Sequence, residues 1–317
     1  MRFVVASLAS AVVIAACSSS DPPPAQLVDA DAGTDAPPAP TPDGSVPDSA
    51  TEPDAPGPKP SKVDLSDETV DAGGRTRTFL LAVPKTYAAA KAYPLVLYLH
   101  GDGGDGRGMR SWDPFDDYSG DDAIVVYPDG INRGWDLYGA PIAQNREIQF
   151  LDAIIAFVSS KYNVDTTRVF GTGYSSGGFV VSQVACRRPG LFRAITIHAG
   201  GAPYEQDLQN PPKYPNGYDA CIPNHGTPPN ALAALPVMVF HGTADGSVGV
   251  DSGDFAATYW AYVNGCQSSR SASTPAPCEI HDGCPAGKSV SWCLVPGLNH
   301  VVWREGNRVS WDFFKGL

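Results

Sequence analysis

The stretch that decides the fold runs from Arg168 to Gly178 and reads RVFGTGYSSGG. It begins with an apolar run typical of a buried strand and leads into a candidate helix, Gly178–Arg187. Between the two, residues 173–177 read GYSSG, which is a Gly-x-Ser-x-Gly turn. The turn is so sharp that only small residues fit two positions on either side of the central serine. The stretch therefore predicts a strand, a tight turn and a helix, with a serine raised at the turn.

Two adjacent serines compete for the raised position. If Ser176 were central, Tyr174 would occupy a position that needs a small residue, whereas centring on Ser175 places glycines on both sides. Ser175 is therefore the predicted nucleophile. A plain glycine–serine turn after a strand is the alternative.

Short apolar runs rich in β-branched or aromatic residues recur along the chain and predict buried strands. They are Phe79–Val83, Pro94–Leu99, Ala123–Tyr127, Arg168–Gly171, Ala194–His198, Pro236–Phe240 and Val290–Val295. Helical patterns alternate with them at Glu147–Tyr162, Gly178–Arg187, Asp254–Val263 and Asn307–Phe314. This alternation predicts the α/β class, with a mostly parallel, doubly wound sheet and helices on both faces. In such sheets, ligands bind beyond the carboxyl ends of the strands.

A carboxylate follows the strand Pro236–Phe240. Asp245 lies in the loop after that strand, where it is placed to orient an imidazole. Asp251 and Asp254 are the rival acids, and a solvated or helix-capping role is their alternative. Asp245 is the predicted acid of a serine–histidine–acid triad.

The base of such a triad follows the acid in the chain order Ser, Asp, His. His281 and His300 both lie beyond Asp245, but only His300 follows the last predicted strand. An exposed loop histidine is the alternative for His300. His241 precedes Asp245 and is expected to pack or bond locally.

A triad that attacks a carbonyl also needs donors for the developing oxyanion. One expected donor is the amide of Ser176, directly after the nucleophile. The other is expected from the glycine-rich loop after an early strand, with the Asp102 amide preferred and Gly101 as the alternative. This loop lacks the Lys-Ser/Thr of a phosphate-binding loop.

Several aromatic residues near these positions are candidates to contact a substrate. Trp135, Tyr174 and Trp303 are the predicted substrate-binding residues, and Trp112 and Tyr138 are further candidates for a sugar or aromatic-acid pocket. Core packing is an equally good explanation for aromatic side chains.

The N-terminal part of the chain differs from the rest. Residues 1–17 resemble a signal peptide that ends in a lipobox, so Cys17 is a candidate for lipidation; an ordinary signal peptide is the alternative. Residues 18–60 are rich in proline and acidic residues and predict a disordered linker. Residues 61–317 then form the predicted catalytic domain. The expected location is extracellular or at the cell surface.

Charge and cysteine content limit the partners. Of the net charge of −12, residues 1–60 carry half, so the folded part is only mildly acidic and nucleic acid is not an expected partner. Beyond Cys17 there are six cysteines, which predict three disulfides: Cys186 with Cys221, and the other four among themselves. The four are Cys266, Cys278, Cys284 and Cys293. Zinc is the weaker alternative, because no Cys-x-x-Cys occurs. No metal or cofactor is expected.

Five motifs along the chain, in a fixed order, resemble those of a known family. LYLHGDGG, YNVDTTRVFGTGYSSGG, RPGLFRAITIHAG, FHGTAD and GLNHVVW occur in this order within residues 75–317. Together they resemble the secreted esterase family of feruloyl esterases, acetylxylan esterases and poly(3-hydroxybutyrate) depolymerases. The resemblance implies the α/β-hydrolase fold, with Ser175 as nucleophile, Asp245 as acid and His300 as base. Asp102 departs from the pattern, since relatives often carry an uncharged residue there.

The resemblance implies a secreted carboxylic ester hydrolase, and a monomer is expected. The cysteine-rich segment Cys266–Cys293 resembles that of bacterial feruloyl esterase-like members and favours esters on plant cell-wall xylan. A polyester hydrolase of the poly(3-hydroxybutyrate) depolymerase type is the alternative. A dipeptide-releasing serine peptidase and a non-catalytic polysaccharide-binding lipoprotein are weaker alternatives.

Overall fold

One sheet of ten strands organises the computed structural model, which describes residues 61–136, 145–203, 221 and 231–317. The strands within these ranges are β1 (Val63–Ala72), β2 (Arg75–Pro84), β3 (Tyr93–Leu99), β4 (Ile124–Pro128), β5 (Val164–Tyr174), β6 (Ala194–His198), β7 (Val237–Gly242), β8 (Arg270–Ala272), β9 (Cys278–His281) and β10 (Val290–Val295). Their order across the sheet is β1-β2-β4-β3-β5-β6-β7-β10-β9-β8. Each of the seven predicted strands overlaps one of these.

The centre of the sheet is parallel and its edges are antiparallel. The strands from β4 to β10 in the sheet order run parallel to one another. β2 and β1 extend one edge antiparallel, and β9 and β8 extend the other. The carboxyl ends of the parallel strands therefore share one edge, where the loops that follow β3, β5, β7 and β10 meet.

Helices cover both faces of the sheet. The α-helices of the described ranges are α1 (Gly106–Trp112), α2 (Asp116–Ser119), α3 (Arg146–Lys161), α4 (Ser176–Arg187), α5 (Val250–Asn264) and α6 (Gly306–Lys315). Alternate residues of β3 separate the two layers, because successive strand side chains point to opposite faces. Leu95 and Leu97 pack in the layer with α3, α4 and α5, whereas Val96 and Tyr98 pack in the layer with α1 and α6. The predicted α/β fold with both faces covered is thus confirmed.

Three disulfides tie down loops and the sheet edge. Cys186 pairs with Cys221, Cys266 with Cys284, and Cys278 with Cys293. The last bond joins β9 to β10. The predicted grouping of the six cysteines is confirmed. Such bonds persist in oxidising compartments and are typical of exported proteins.

The predicted signal peptide, the lipidation of Cys17 and the linker of residues 18–60 lie outside the described residues, and the domain boundaries stay predictions. None of the helices in the described ranges has the length and apolar composition of a membrane-spanning segment.

A buried histidine at the end of β6 makes the stability of the fold depend on pH. Burial of His198, which stacks on Phe240 with ring centroids 4.6 Å apart, lowers its pKa to about 3. Because the unfolded chain takes up a proton near pH 6.5 and the folded chain does not, this contribution to stability is complete above pH 6.5. It is lost as the pH falls from 6.5 towards 3, by roughly 4–5 kcal/mol in total.

Acid titration of the unfolding free energy tests this expectation. His198→Asn, which cannot be protonated there, should show a shallower fall between pH 6.5 and pH 4 than the parent protein. Because the slope counts protons taken up on unfolding, the comparison holds even if the variant is less stable at every pH. Equal slopes for the two proteins would contradict the assignment of this pH dependence to His198.

Candidate active site

The turn between β5 and α4 has the strained geometry that the sequence predicts. Ser175 has φ 53° and ψ −123°, a conformation that side-chain-bearing residues rarely adopt, and its amide donates to the His198 carbonyl oxygen at 2.8 Å. A side chain on Gly173 would collide with the Gly177 backbone, and one on Gly177 would collide with the carbonyl of Leu99. The two glycines therefore let the turn form, and the turn holds Ser175 at the carboxyl edge of the sheet.

Ser175, His300 and Asp245 lie in one hydrogen-bonded row. His300 Nε2 is 3.0 Å from Ser175 Oγ, and His300 Nδ1 is 2.7 Å from Asp245 Oδ2. Since an ionised carboxylate only accepts hydrogen bonds, Nδ1 carries the proton and Nε2 accepts from the serine hydroxyl. The three residues follow β5, β7 and β10, so the parallel sheet brings them to one edge.

The Asp245 carboxylate is buried and held by several donors. Its Oδ1 accepts from the amides of Ser247 and Val248, both at 2.9 Å, and its Oδ2 faces His300. Burial raises the pKa of this carboxyl, but the hydrogen bonds from His300 and from the two amides outweigh it, so the net pKa is lowered. Asp245 therefore stays ionised while it holds His300.

A second histidine supports the same carboxylate. His241 is buried, and its Nε2 lies 2.9 Å from the Val248 carbonyl oxygen and 3.3 Å from Asp245 Oδ2. Because a carbonyl only accepts, Nε2 carries the proton, and burial keeps the ring neutral by lowering its pKa. The sequence predicts local bonding for His241, and its position fits a residue that orients Asp245.

The loop after β3 packs directly against the serine. A Cβ placed on Gly101 would lie 3.3 Å from the Ser175 Cβ. The Gly101 carbonyl oxygen is 2.7 Å from His100 Nδ1 and also accepts from the Gly104 amide at 3.0 Å. In a trans peptide the carbonyl and the following N–H point in opposite directions, so these two bonds fix the direction of the Asp102 N–H.

His100 is held as one tautomer by the loop after β4. Its Nε2 accepts a hydrogen bond from the Gly130 amide at 2.9 Å, so Nδ1 carries the proton that is donated to Gly101. Burial lowers the pKa of His100 and favours this neutral form. Trp135 Nε1 donates to the His100 carbonyl oxygen at 2.8 Å, and the two rings lie 4.6 Å apart.

A buried ion pair holds this second loop, residues 129–136, at both ends. Arg77 and Glu147 are almost fully buried and lie 2.9 Å apart. The Arg77 guanidinium donates to the Asp129 carbonyl oxygen at 3.0 Å, and the Glu147 carboxylate accepts from the Asp136 amide at 3.3 Å. A chain of contacts therefore runs from the ion pair through this loop and His100 to the Asp102 peptide.

The hydrogen bonds of His100 to Gly101 and Gly130 predict a measurable role for His100 in catalysis. His100→Ala removes one of the two donors to the Gly101 carbonyl and leaves the Gly130 amide without its acceptor, so the Asp102 peptide loses its fixed direction. We expect kcat to fall roughly 10- to 100-fold, with a smaller change in KM, since an oxyanion donor acts mainly in the transition state. Initial rates on p-nitrophenyl acetate check this, and an unchanged kcat in a folded variant would refute the role.

The other predicted residues occupy varied positions. Asp251 is exposed at the start of α5, and Asp254 pairs with Arg270 at 2.6 Å. His281 also contacts Arg270, with its Nε2 2.9 Å from Arg270 Nε. These three side chains are thus placed in other surroundings than Ser175.

The aromatic candidates differ in the same way. Tyr174 lies beside His300, with ring centroids 5.1 Å apart, and its hydroxyl donates to the His300 carbonyl oxygen at 2.6 Å. Trp135 supports the loop after β3, whereas Trp303 packs against Phe240 in a core cluster with β7 and α6. The assignments of Trp135 and Trp303 to substrate binding stay predictions, and Tyr138 lies outside the described residues.

Two further features were not predicted. The hydrogen bonds of His100 with Gly130 and Trp135 join parts of the chain about 30 residues apart, and no sequence pattern marks them. The Asp102 carboxylate lies beside Gly134, where an added Cβ would approach Asp102 Oδ1 to 3.1 Å, so the side chain turns towards the loop of residues 129–136. Among the described residues, no group of three or more His, Cys, Asp or Glu side chains is arranged to hold a metal ion.

Similarity to known proteins agrees with this geometry. The chain is 28% identical over 256 residues to the probable feruloyl esterase C of Aspergillus terreus, covering 76% of this chain and 84% of that protein. It is 27% identical over 273 residues to feruloyl esterase D of Neurospora crassa, covering 78% and 84%. The family model described as the prolyl oligopeptidase family matches residues 119–254. That match includes Ser175 and Asp245 but ends before His300.

Solved structures share the fold. The acetyl xylan esterase from Aspergillus awamori superposes with a TM-score of 0.59 at 19% identity and covers 79% of this chain and 99% of its own. The feruloyl esterase module from Clostridium thermocellum in complex with sinapinate gives a TM-score of 0.57 at 14% identity, covering 81% and 88%. The comparisons confirm the resemblance predicted from the motifs and the α/β-hydrolase fold. The chain is thus similar to carboxylic ester hydrolases.

Proposed function

We propose that the chain is an extracellular serine esterase that hydrolyses feruloyl-type esters on plant cell-wall polysaccharide such as xylan. The observation that carries the proposal is the position of His300, which bridges the Ser175 hydroxyl and the Asp245 carboxylate at 3.0 Å and 2.7 Å. A nucleophile, a base and a residue that orients the base are the parts that acyl transfer through serine requires.

The proposed reaction has two halves. His300 Nε2 takes the Ser175 proton while Oγ attacks the ester carbonyl, and Asp245 stabilises the imidazolium that forms. The amides of Ser176 and Asp102 donate to the oxyanion, and Gly101 allows the loop to approach the serine. The protonated His300 then gives its proton to the leaving oxygen. The alcohol departs, and the acyl group remains bound to Ser175 Oγ. Water, deprotonated by His300, releases the carboxylic acid and restores Ser175.

The substrate and the location rest on separate support. The names of the curated relatives favour a feruloyl ester, and the name of the acetyl xylan esterase favours xylan as the carrier of the ester. Three disulfides favour an oxidising, extracellular compartment. Lipidation of Cys17 would anchor the protein to a membrane. No metal or organic cofactor takes part in the proposed reaction, and the protein acts as a monomer.

Peptide-bond cleavage is the second candidate function. The match of residues 119–254 to the prolyl oligopeptidase family model favours it, because the same triad cleaves amides. Esters remain the favoured substrates, because the matched curated relatives are esterases.

A substrate panel tests the proposal. It compares methyl ferulate, acetylated xylan, hydroxybutyrate oligomers and a dipeptidyl p-nitroanilide at equal enzyme concentration. We expect kcat/KM to be highest for methyl ferulate. A preference for hydroxybutyrate oligomers or for the anilide would replace the feruloyl proposal with the polyester or the peptidase alternative. No turnover of any ester would overturn the proposal itself.

A further inference from the structure

An exposed tryptophan stands beside the candidate site. Trp112 is the last residue of α1, in the segment that follows the loop after β3, and half of its surface is exposed. Its ring centroid lies 5.0 Å from that of Tyr174. The neighbouring Asp113 turns inward, and its carboxylate accepts a hydrogen bond from the buried Tyr98 hydroxyl at 2.5 Å. One aromatic surface therefore remains open to solvent.

Tyr174 connects this surface to the histidine. Its ring is 5.1 Å from the His300 ring, and its hydroxyl donates to the His300 carbonyl oxygen at 2.6 Å. The tyrosine ring also packs on the loop after β3, since a Cβ on Gly101 would approach Tyr174 Cδ1 to 2.9 Å. The tyrosine is thus held in place, and its ring contacts both the His300 ring and the Trp112 ring.

The side of the site decides which part of a substrate meets this surface. In acyl transfer, the protonated base gives its proton to the leaving group, so the leaving oxygen lies next to His300 Nε2. The group attached to that oxygen, the alcohol part of the ester, therefore projects along the His300 side. For an ester on a polysaccharide, the alcohol part is a sugar ring, whose C–H faces are apolar enough to stack on an aromatic ring.

We propose that Trp112 and Tyr174 form a subsite for the sugar ring of the leaving alcohol. This inference rests on the proposed function, because it assumes that His300 is the base. It assigns the pair to the alcohol and leaves the acyl group to the rest of the site. A Trp112 variant should therefore discriminate between esters that share an acyl group and differ in their alcohol.

The experiment compares Trp112→Ala with the parent protein on two matched pairs of esters. One pair is methyl ferulate and a feruloylated arabinoxylan oligosaccharide; the other is ethyl acetate and an acetylated xylo-oligosaccharide. We expect kcat/KM to fall about three- to tenfold for the sugar esters, mainly through KM, as for the loss of one aromatic contact. The two small esters should change by less than about twofold. Trp112→Phe should recover part of the loss.

Tyr262→Ala is the matched control. Tyr262 is also exposed, with 53% of its surface accessible, and it lies on α5. In both pairs, Tyr262→Ala should leave kcat/KM of the sugar ester relative to that of the small ester unchanged. An equal loss on both members of a pair would place Trp112 on the acyl side or in a structural role and would overturn the inference. Unchanged kinetics of Trp112→Ala on the sugar esters would also overturn the inference. The same holds if the parent protein hydrolyses the small esters but neither sugar ester. A parent inactive on all four esters would instead be the failure of the proposed function.

Discussion

Ser175→Ala should lower kcat for methyl ferulate and p-nitrophenyl acetate by roughly 10⁵- to 10⁶-fold, as the loss of the triad nucleophile does in a serine protease. The hydroxyl is the only group removed, and it is the group that lies 3.0 Å from His300 Nε2. Alanine keeps the Cβ, so the strained backbone at φ 53° is no harder to adopt than in the parent protein. Initial rates, with circular dichroism and thermal unfolding to check the fold, measure the effect.

Ser176→Ala is the control for this variant. It removes the hydroxyl of the neighbouring serine, which is buried without a hydrogen-bond partner among the described residues, and it keeps the backbone amide that we propose as an oxyanion donor. We expect it to retain activity within about tenfold. If Ser175→Ala stayed active and Ser176→Ala did not, the nucleophile would be the second serine.

Asp245→Asn should lower kcat by about 10⁴-fold, the loss that the same change causes in a serine protease triad. The reason follows from the donors around the carboxylate. The amides of Ser247 and Val248 donate to Oδ1, so the oxygen of an asparagine would take that position and its NH₂ would face His300 Nδ1. His300 would then carry its proton on Nε2 and could no longer accept the proton of Ser175.

Asp251→Asn provides the comparison for this second variant. Asp251 is one of the two rival acids from the sequence. It is exposed, and the same chemical change there should alter kcat by less than about twofold. Rates of both variants on p-nitrophenyl acetate at pH 7 to 8 decide the matter. A loss of less than about 100-fold for Asp245→Asn would contradict its role in holding the His300 tautomer.

The central strands were predictable because they are buried on both faces. A strand such as β3, whose seven residues are all buried, must be apolar throughout and therefore stands out in the sequence. β1 was missed because it is an edge strand whose polar side chains, most of its residues, are exposed or half-buried, VDLSDETVDA. β8 and β9 are too short for a pattern, and α1, with two glycines in seven residues, has little helical signal.

The positions of Ser175, Asp245 and His300 could be predicted from the sequence for two reasons. The turn around Ser175 imposes a steric demand on its immediate neighbours, and the parallel sheet brings the loops after β5, β7 and β10 together in a fixed chain order. The support around them was not readable. The bonds of His100 to Gly130 and to Trp135 depend on how two loops pack, which no spacing within either loop encodes.

Labelling of the folded protein with a fluorophosphonate probe tests whether Ser175 is the nucleophile of an esterase. The probe phosphonylates a serine only where a neighbouring base activates it. Mass spectrometry of the digested protein should find one adduct, on Ser175, in the parent protein and in Ser176→Ala, and none in Ser175→Ala or in the denatured parent protein. An adduct on another serine, or no adduct on a folded and esterolytic protein, would contradict the assignment of Ser175 as the nucleophile.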